Sequence, residues 1–228
     1  MAEDKTNKGQ QMNVEDALTK SEAFIIKYQK PILTVVVAIA VIIAGFFLYK
    51  KYYAEPHEKK AQVALFPGQK YFEQDEYDKA LNGDKNGYTG FLKIEDDYSG
   101  TKAANLAKAY AGLCYANLGK YDLAVKQLDG FDADDQMVSP SITAALGNCY
   151  AQLGKLDKAT DYLMKAAKDA DNFSLSPIFL LQAGQIYESQ GKFDKAIDAY
   201  QTIKDKYFQS YAAMDIDKYI ERATLQKK

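Results

Sequence analysis

Gly147-Asn-Cys-Tyr150-Ala-Gln-Leu-Gly154-Lys-Leu-Asp-Lys-Ala159 recurs one unit later as Gly184-Gln-Ile-Tyr187-Glu-Ser-Gln-Gly191-Lys-Phe-Asp-Lys-Ala196, and one unit earlier as Gly112-Leu-Cys-Tyr115-Ala-Asn-Leu-Gly119-Lys-Tyr-Asp-Leu-Ala124. A worn fourth copy is read at Gly68, Tyr71, Asp75 and Ala80. Self-similarity this regular marks a stacked solenoid, which works as a surface rather than as an enclosed catalytic pocket.

Working outward, each copy reads as a pair of helices. The pairs are Lys102 to Leu118 with Tyr121 to Leu128, Ser141 to Leu153 with Leu156 to Ala170, and Pro177 to Gln190 with Phe193 to Lys206. Nothing in this region alternates with the period of a strand. Gly112, Gly147 and Gly184 let the second helix of a pair approach the first, and the Tyr three residues on fills the space beside it. Gly119, Gly154 and Gly191 end the first helix in the left-handed conformation that Gly adopts readily. Tyr121, Leu156 and Phe193 open the second helix, and Ala124, Ala159 and Ala196 keep the crossing tight. Pro140 and Pro177 stand near helix starts, where a missing N–H costs nothing. In the worn unit Asp75 replaces the turn Gly, Pro67 is expected to interrupt the helix before Gly68, and a polar loop, Asn82 to Gly87, enters the following helix. Ser210 to Gln226 reads as a terminal amphipathic helix with Tyr211, Met214, Tyr219 and Ile220 inward.

These residues resemble the tetratricopeptide repeat over roughly residues 57 to 206, with periods of 44, 35 and 37 residues against about 34 for the standard repeat. The resemblance implies a groove lined by the first helices, at positions one, four and five after the small Gly. In this chain those are Gln69, Phe72 and Glu73, then Leu113, Ala116 and Asn117, then Asn148, Ala151 and Gln152, and last Gln185, Glu188 and Ser189. The candidate binding residues are Gln69, Phe72, Glu73, Asn117, Asn148, Gln152, Gln185 and Glu188. The groove lacks the lysines with which such domains clamp an acidic peptide terminus. Its amides suit extended or partly unfolded chains, or they solvate the concave face and no more.

A different signal lies upstream. Pro31 to Tyr49 is 19 residues without a charge, a helix of ~28 Å that just spans a bilayer core. Lys27, Lys30, Lys50 and Lys51 bound it, and Tyr49, Tyr52 and Tyr53 stand where an interfacial belt would lie. Thirty residues precede the run and no small-residue cleavage site follows, so it reads as a retained anchor rather than a signal peptide. Three lysines flank it on the N-terminal side and four on the C-terminal side, a near tie that leans toward cytoplasmic repeats by the positive-inside rule. Within residues 1 to 30, Gln10 and Gln11 beside Gly9 suggest a loose start, Val14 to Lys30 a short helix or an unstructured lead, and Ser21-Glu22 a weak helix start.

The expected division is a cytoplasmic segment at 1–30, a transmembrane helix at 31–49, a linker at 50–56, repeats at 57–206 and a capping helix at 207–228. The fold class is all-α, a single N-terminal transmembrane helix followed by a tetratricopeptide-repeat α-solenoid.

Several functions find no material. The net charge is -2, and nucleic-acid binding would need clustered cations on one face. His57 is the one histidine, which leaves no His-based triad or His-containing metal site. Asp132, Asp134 and Asp135 read as a solvated connection, since no EF-hand-like Gly and distal Glu follow in register. Cys114 and Cys149, at equivalent inward positions, read as packed free thiols. No catalytic residue, metal or cofactor is expected.

A short lead, one span and a C-terminal repeat domain together resemble the YfgM-like family, ancillary subunits of the SecYEG translocon. That resemblance implies a cytoplasmic N-terminus and periplasmic repeats in the bacterial inner membrane. It also implies protein partners: SecYEG, a membrane-anchored prolyl isomerase and unfolded secretory chains. The expected function is a non-catalytic, chaperone-like interaction scaffold held in lipid by residues 31–49. The alternative is an adaptor for another envelope machine, with the repeats in the cytoplasm.

Overall fold

Glycine in the left-handed region decides where each first helix stops. Gly119, Gly154 and Gly191 take φ of 72°, 72° and 70°, a conformation that costs an L side chain about 1–2 kcal/mol. In the worn unit Asp75 holds the equivalent place at φ 59°, so the turn survives the loss of its Gly. Short polar side chains tolerate this conformation best.

The computed structural model describes residues 8–227, with side chains described at Glu22 and from Ile26 onward. Among the described residues every regular element is helical. The chain forms two compact units, divided between Pro56 and His57.

In the first unit helix α1 runs Lys8–Tyr49, followed by a π-helical turn at Lys50–Ala54. The loose start at Gln10-Gln11 and the helix start at Ser21-Glu22 do not occur, because both lie inside α1. Gln, Met, Ala, Leu, Lys and Glu dominate this stretch and are good helix formers. Pro31 is also accommodated, with the Thr34 hydroxyl donating to the Lys30 carbonyl at 3.0 Å. The helix is long and apolar enough to cross a membrane, and its side chains from Ile26 to Tyr49 are all exposed.

The second unit, which takes in α2 (Glu55–Glu73) from His57 onward, is a run of paired helices: α2, α3 (Tyr77–Asn82), α4 (Phe91–Asp97), α5 (Lys102–Asn117), α6 (Tyr121–Asp129), α7 (Val138–Gln152), α8 (Leu156–Ala170), α9 (Ser176–Ser189) and α10 (Phe193–Lys206). A 3-10 turn at Tyr211–Asp215 and helix α11 (Ile216–Gln226) close it. Each helix packs chiefly on its neighbours in sequence, as stacked repeats must.

Pro67 does not interrupt the first repeat helix and lies inside α2. The carbonyl that loses its N–H partner belongs to Val63, whose 75% exposure leaves water to replace it. The polar insertion does split the following helix, giving α3 and α4. Asp84 organises that loop, accepting from the Asn86 and Tyr88 backbone N–H groups at 2.8 and 2.9 Å and from the Tyr71 hydroxyl. Helix α7 begins three residues before its expected start because the Asp135 carboxylate caps it. It accepts from the N–H groups of Met137, Val138 and Ser139 at 2.7, 2.5 and 3.1 Å, and these bonds hold its pKa low.

Close approach explains the other recurring glycines of the repeat. A Cβ on Gly112 would meet the Leu128 side chain at 2.6 Å, and one on Gly184 would meet the Tyr200 ring at 2.2 Å. Cys114 and Cys149 are buried free thiols, and burial pushes Cys114 up to about 12 and raises Cys149. At the C-terminal end Ile216 and Ala223 are buried, with Tyr219 and Ile220 packed beside them. Tyr211 and Met214 are not inward as expected: they are 88% and 78% exposed. The 3-10 turn changes the register, which passes the inward face to Ile216.

Candidate functional site

The repeat register puts the eight candidate residues on the first helices α2, α5, α7 and α9, and their surroundings divide them into three groups. At the N-terminal end two of the three groove side chains, Phe72 and Gln69, are engaged with neighbouring side chains. Phe72 is half-buried, with ring centroids 5.6 Å from Tyr77 and 5.2 Å from Tyr110. Gln69 reaches the Tyr110 hydroxyl through Nε2 at 3.4 Å, while Glu73 is exposed.

In the middle the face is open. Asn148 and Gln152 on α7 and Gln185 on α9 are exposed, and no hydrogen bond ties their side chains to the described chain. Asn117 is exposed as well, but its Nδ2 donates back to the Leu113 carbonyl at 2.9 Å. Helices α7 and α9 thus present three free amides, each with both donor and acceptor capacity.

The C-terminal end is closed by a charged cluster. Arg222 of α11 donates to both Glu188 oxygens, Nη2 to Oε1 at 2.8 Å and Nε to Oε2 at 2.9 Å, and the Tyr200 hydroxyl donates to Oε1 at 2.5 Å. Burial would raise the Glu188 carboxyl, but these hydrogen bonds and the guanidinium charge outweigh it and hold the pKa below its usual value. Only a guanidinium supplies this two-pronged geometry. Glu188 is therefore a structural acceptor that fixes the capping helix and is not open to a ligand. Sequence reasoning missed its partner, although one signal was present: Arg222 is the only arginine in the chain.

Neighbouring units are also clasped through backbone groups. Glu58 accepts from the Lys102 and Ala103 N–H groups at 2.7 and 3.2 Å, capping α5 from the preceding first helix. Asn105 bonds both the Asp132 N–H and its carbonyl. Asp132 and Asp135 are thus pieces of the scaffold. Among the described residues no group of three or more His, Cys, Asp or Glu could hold a metal ion.

A family model described as a tetratricopeptide repeat-like domain matches residues 22–218. Among solved structures the chain is similar to the nearly identical TPR-like repeats of a kinesin light chain from Podosopora anserina. There the TM-score is 0.57 at 10% identity, over 74% of this chain and 87% of that one. It is also similar to MamA, with a TM-score of 0.51 at 20% identity over 73% of this chain and 91% of that one. Identities this low speak for the fold alone. No curated protein matches the sequence.

Proposed function

The chain belongs to the tetratricopeptide repeat-like domain family, and from that premise we propose that it is a membrane-anchored, non-catalytic scaffold that binds protein segments on its first-helix face. The observation that carries this reading is the set of open amides Asn148, Gln152 and Gln185, exposed and without hydrogen-bond partners among the described residues. Amides of this kind pair with the backbone of an extended chain whatever its side chains are. The site is bounded by packed aromatics at one end and by the Glu188–Arg222 pair at the other, so it accepts a short segment across α7 and α9.

The anchor is Pro31 to Tyr49, whose exposed apolar surface has no other covering within its unit. A single span ahead of a repeat domain supports an ancillary, chaperone-like role in the bacterial inner membrane, with periplasmic repeats near the Sec translocon and unfolded secretory chains as ligands. Protease added outside spheroplasts then digests the repeats, whereas full protection puts them in the cytoplasm and favours an adaptor for another machine. Binding is tested with a reduced, permanently unfolded polypeptide as probe. Replacing Asn148, Gln152 and Gln185 together by Ala is expected to weaken capture at least tenfold, and unchanged capture rejects the amide row as the site.

A further inference from the structure

The two ends of the repeat stack are finished differently. At the C-terminal end α11 covers α10 through Ile216, Tyr219, Ile220 and Ala223. At the N-terminal end the outer face of α2 carries no such cover within its unit, and the repeat register shows what that face is. Val63 lies five residues before the small Gly, where α5, α7 and α9 have Ala107, Ile142 and Phe179. All three are buried against the preceding unit. Phe66 lies two before it, the place of Tyr110, which stacks on Phe91 of the preceding unit at 5.1 Å. Lys70 lies two after it, the place of Cys114 and Cys149. Helix α2 therefore carries a repeat-stacking face that nothing in its own unit covers, with Val63 75% and Phe66 57% exposed. A terminal repeat normally makes this face polar.

Within one helical turn of Val63 and Phe66 the charges are one-sided. Lys59 and Lys60 stand one turn before Val63, and Lys70 stands one turn after Phe66 with its Nζ 4.7 Å from the ring centroid. None of the three pairs with a carboxylate among the described residues. Of the carboxylates nearby, Glu58 caps α5, Asp84 takes Tyr71 and two backbone N–H groups, and Asp97 pairs with Lys93 at 3.0 Å, while the exposed Glu55 and Glu73 stand at the two ends of α2, about two turns from Val63 and Phe66 and farther from them than the lysines. A hollow of about 430 Å³ beside Val63 is lined by Lys59, Lys60, Ala64 and Tyr98.

We propose that the Val63–Phe66 face of α2 is a second docking surface, which receives an amphipathic helix of a partner protein whose apolar face is flanked by carboxylates, stacked as a preceding repeat would be. Stacking geometry supplies the shape and the unpaired lysines supply the sign. A second copy of this chain fits poorly, since matching two α2 faces in parallel sets Lys59 against Lys59 and Lys70 against Lys70. The proposal concerns α2 alone and stands apart from the amide row on α7 and α9.

The test uses the full chain in lipid nanodiscs, with empty discs as control. Two designed helical peptides share one Leu-rich face and carry either Glu or Lys at both flanks. The Glu-flanked peptide is expected to bind about tenfold more tightly than the Lys-flanked one. Val63→Glu with Phe66→Glu abolishes this binding, and Lys59→Glu with Lys60→Glu and Lys70→Glu reverses the preference. The milder pair Val63→Ser and Phe66→Ser, at positions already exposed, repeats the loss with unchanged helicity. Equal affinity for the two peptides, or binding indifferent to the substitutions, overturns the proposal. So does a dimer of the full chain that dissociates on Val63→Glu, because the face then belongs to a second copy.

Discussion

Gly184→Ala adds a single methyl group, and the structure gives its cost. In a helix interior the change gains about 1 kcal/mol of propensity. Against this the new Cβ would lie 2.2 Å from Tyr200 Cε1 and 2.7 Å from Cζ, where carbon atoms settle about 3.5–4.0 Å apart. The ring must retreat by more than about 1 Å, yet Tyr200 is fully buried, held by Glu188 at 2.5 Å and packed on Tyr219. Overpacking of this kind costs about 1–3 kcal/mol, and a locked ring belongs at the upper end. The net loss is about 2 kcal/mol, which lowers Tm by about 4–8 °C for a domain of this size. Gly147→Ala is the internal control, because its nearest neighbours lie at 3.1 and 3.2 Å and the propensity gain roughly cancels a small adjustment. Thermal unfolding of the repeat unit 57–228, which has its own core, followed by circular dichroism, compares the two. An unchanged Tm for Gly184→Ala, or a fall for Gly147→Ala as large, refutes the close-approach account of the small glycines.

Other parts of the structure make separate predictions. Gly154 has φ 72° and open space around its Cβ position, so Gly154→Ala costs about 1 kcal/mol from backbone strain alone; Asp75→Gly, at φ 59°, gains up to about 1 kcal/mol, both read by urea unfolding. Arg222→Gln removes about 1 kcal/mol at neutral pH, most of the Coulomb energy being screened by solvent. The depressed Glu188 carboxyl stabilises the fold fully above its ordinary value of 4.5, and that share is lost as pH falls below it. The wild type should therefore lose more stability than Arg222→Gln between neutral pH and pH 3, and parallel losses would contradict the ion-pair assignment. Cys114 and Cys149 should resist a thiol reagent at pH 8 until the chain is unfolded, because burial keeps both protonated; rapid labelling of the folded protein would show that these positions are not packed.

Local chemistry made the repeat helices legible, and non-local chemistry hid most of the rest. The bounds of α5, α6, α8, α9 and α10 lie within a residue of the sequence reading, because each ends at a Gly or starts at an apolar turn that acts within a few positions. Helix α7 starts earlier, since Asp135 serves as a cap that looked like a solvated loop acid. Pro67 misled because whether proline breaks a helix depends on the exposure of the carbonyl one turn back, which the sequence does not carry. Tyr211 and Met214 misled because a helical register was extended through residues that form a 3-10 turn. The candidate site suffered in the same way. Positions relative to Gly put Glu188 on the groove face, but its commitment depends on Arg222, 34 residues away. Phe72 likewise belongs to a contact with Tyr110 of the next unit.

The central claim is that binding belongs to the open amides of α7 and α9. A photoreactive amino acid placed singly at Asn148, Gln152 and Gln185, with Asp161 and Lys195 on second helices as comparison positions, tests it in intact cells. The account predicts polypeptide adducts from the three amide positions and none from Asp161 or Lys195. Adducts only from the second-helix positions would contradict it.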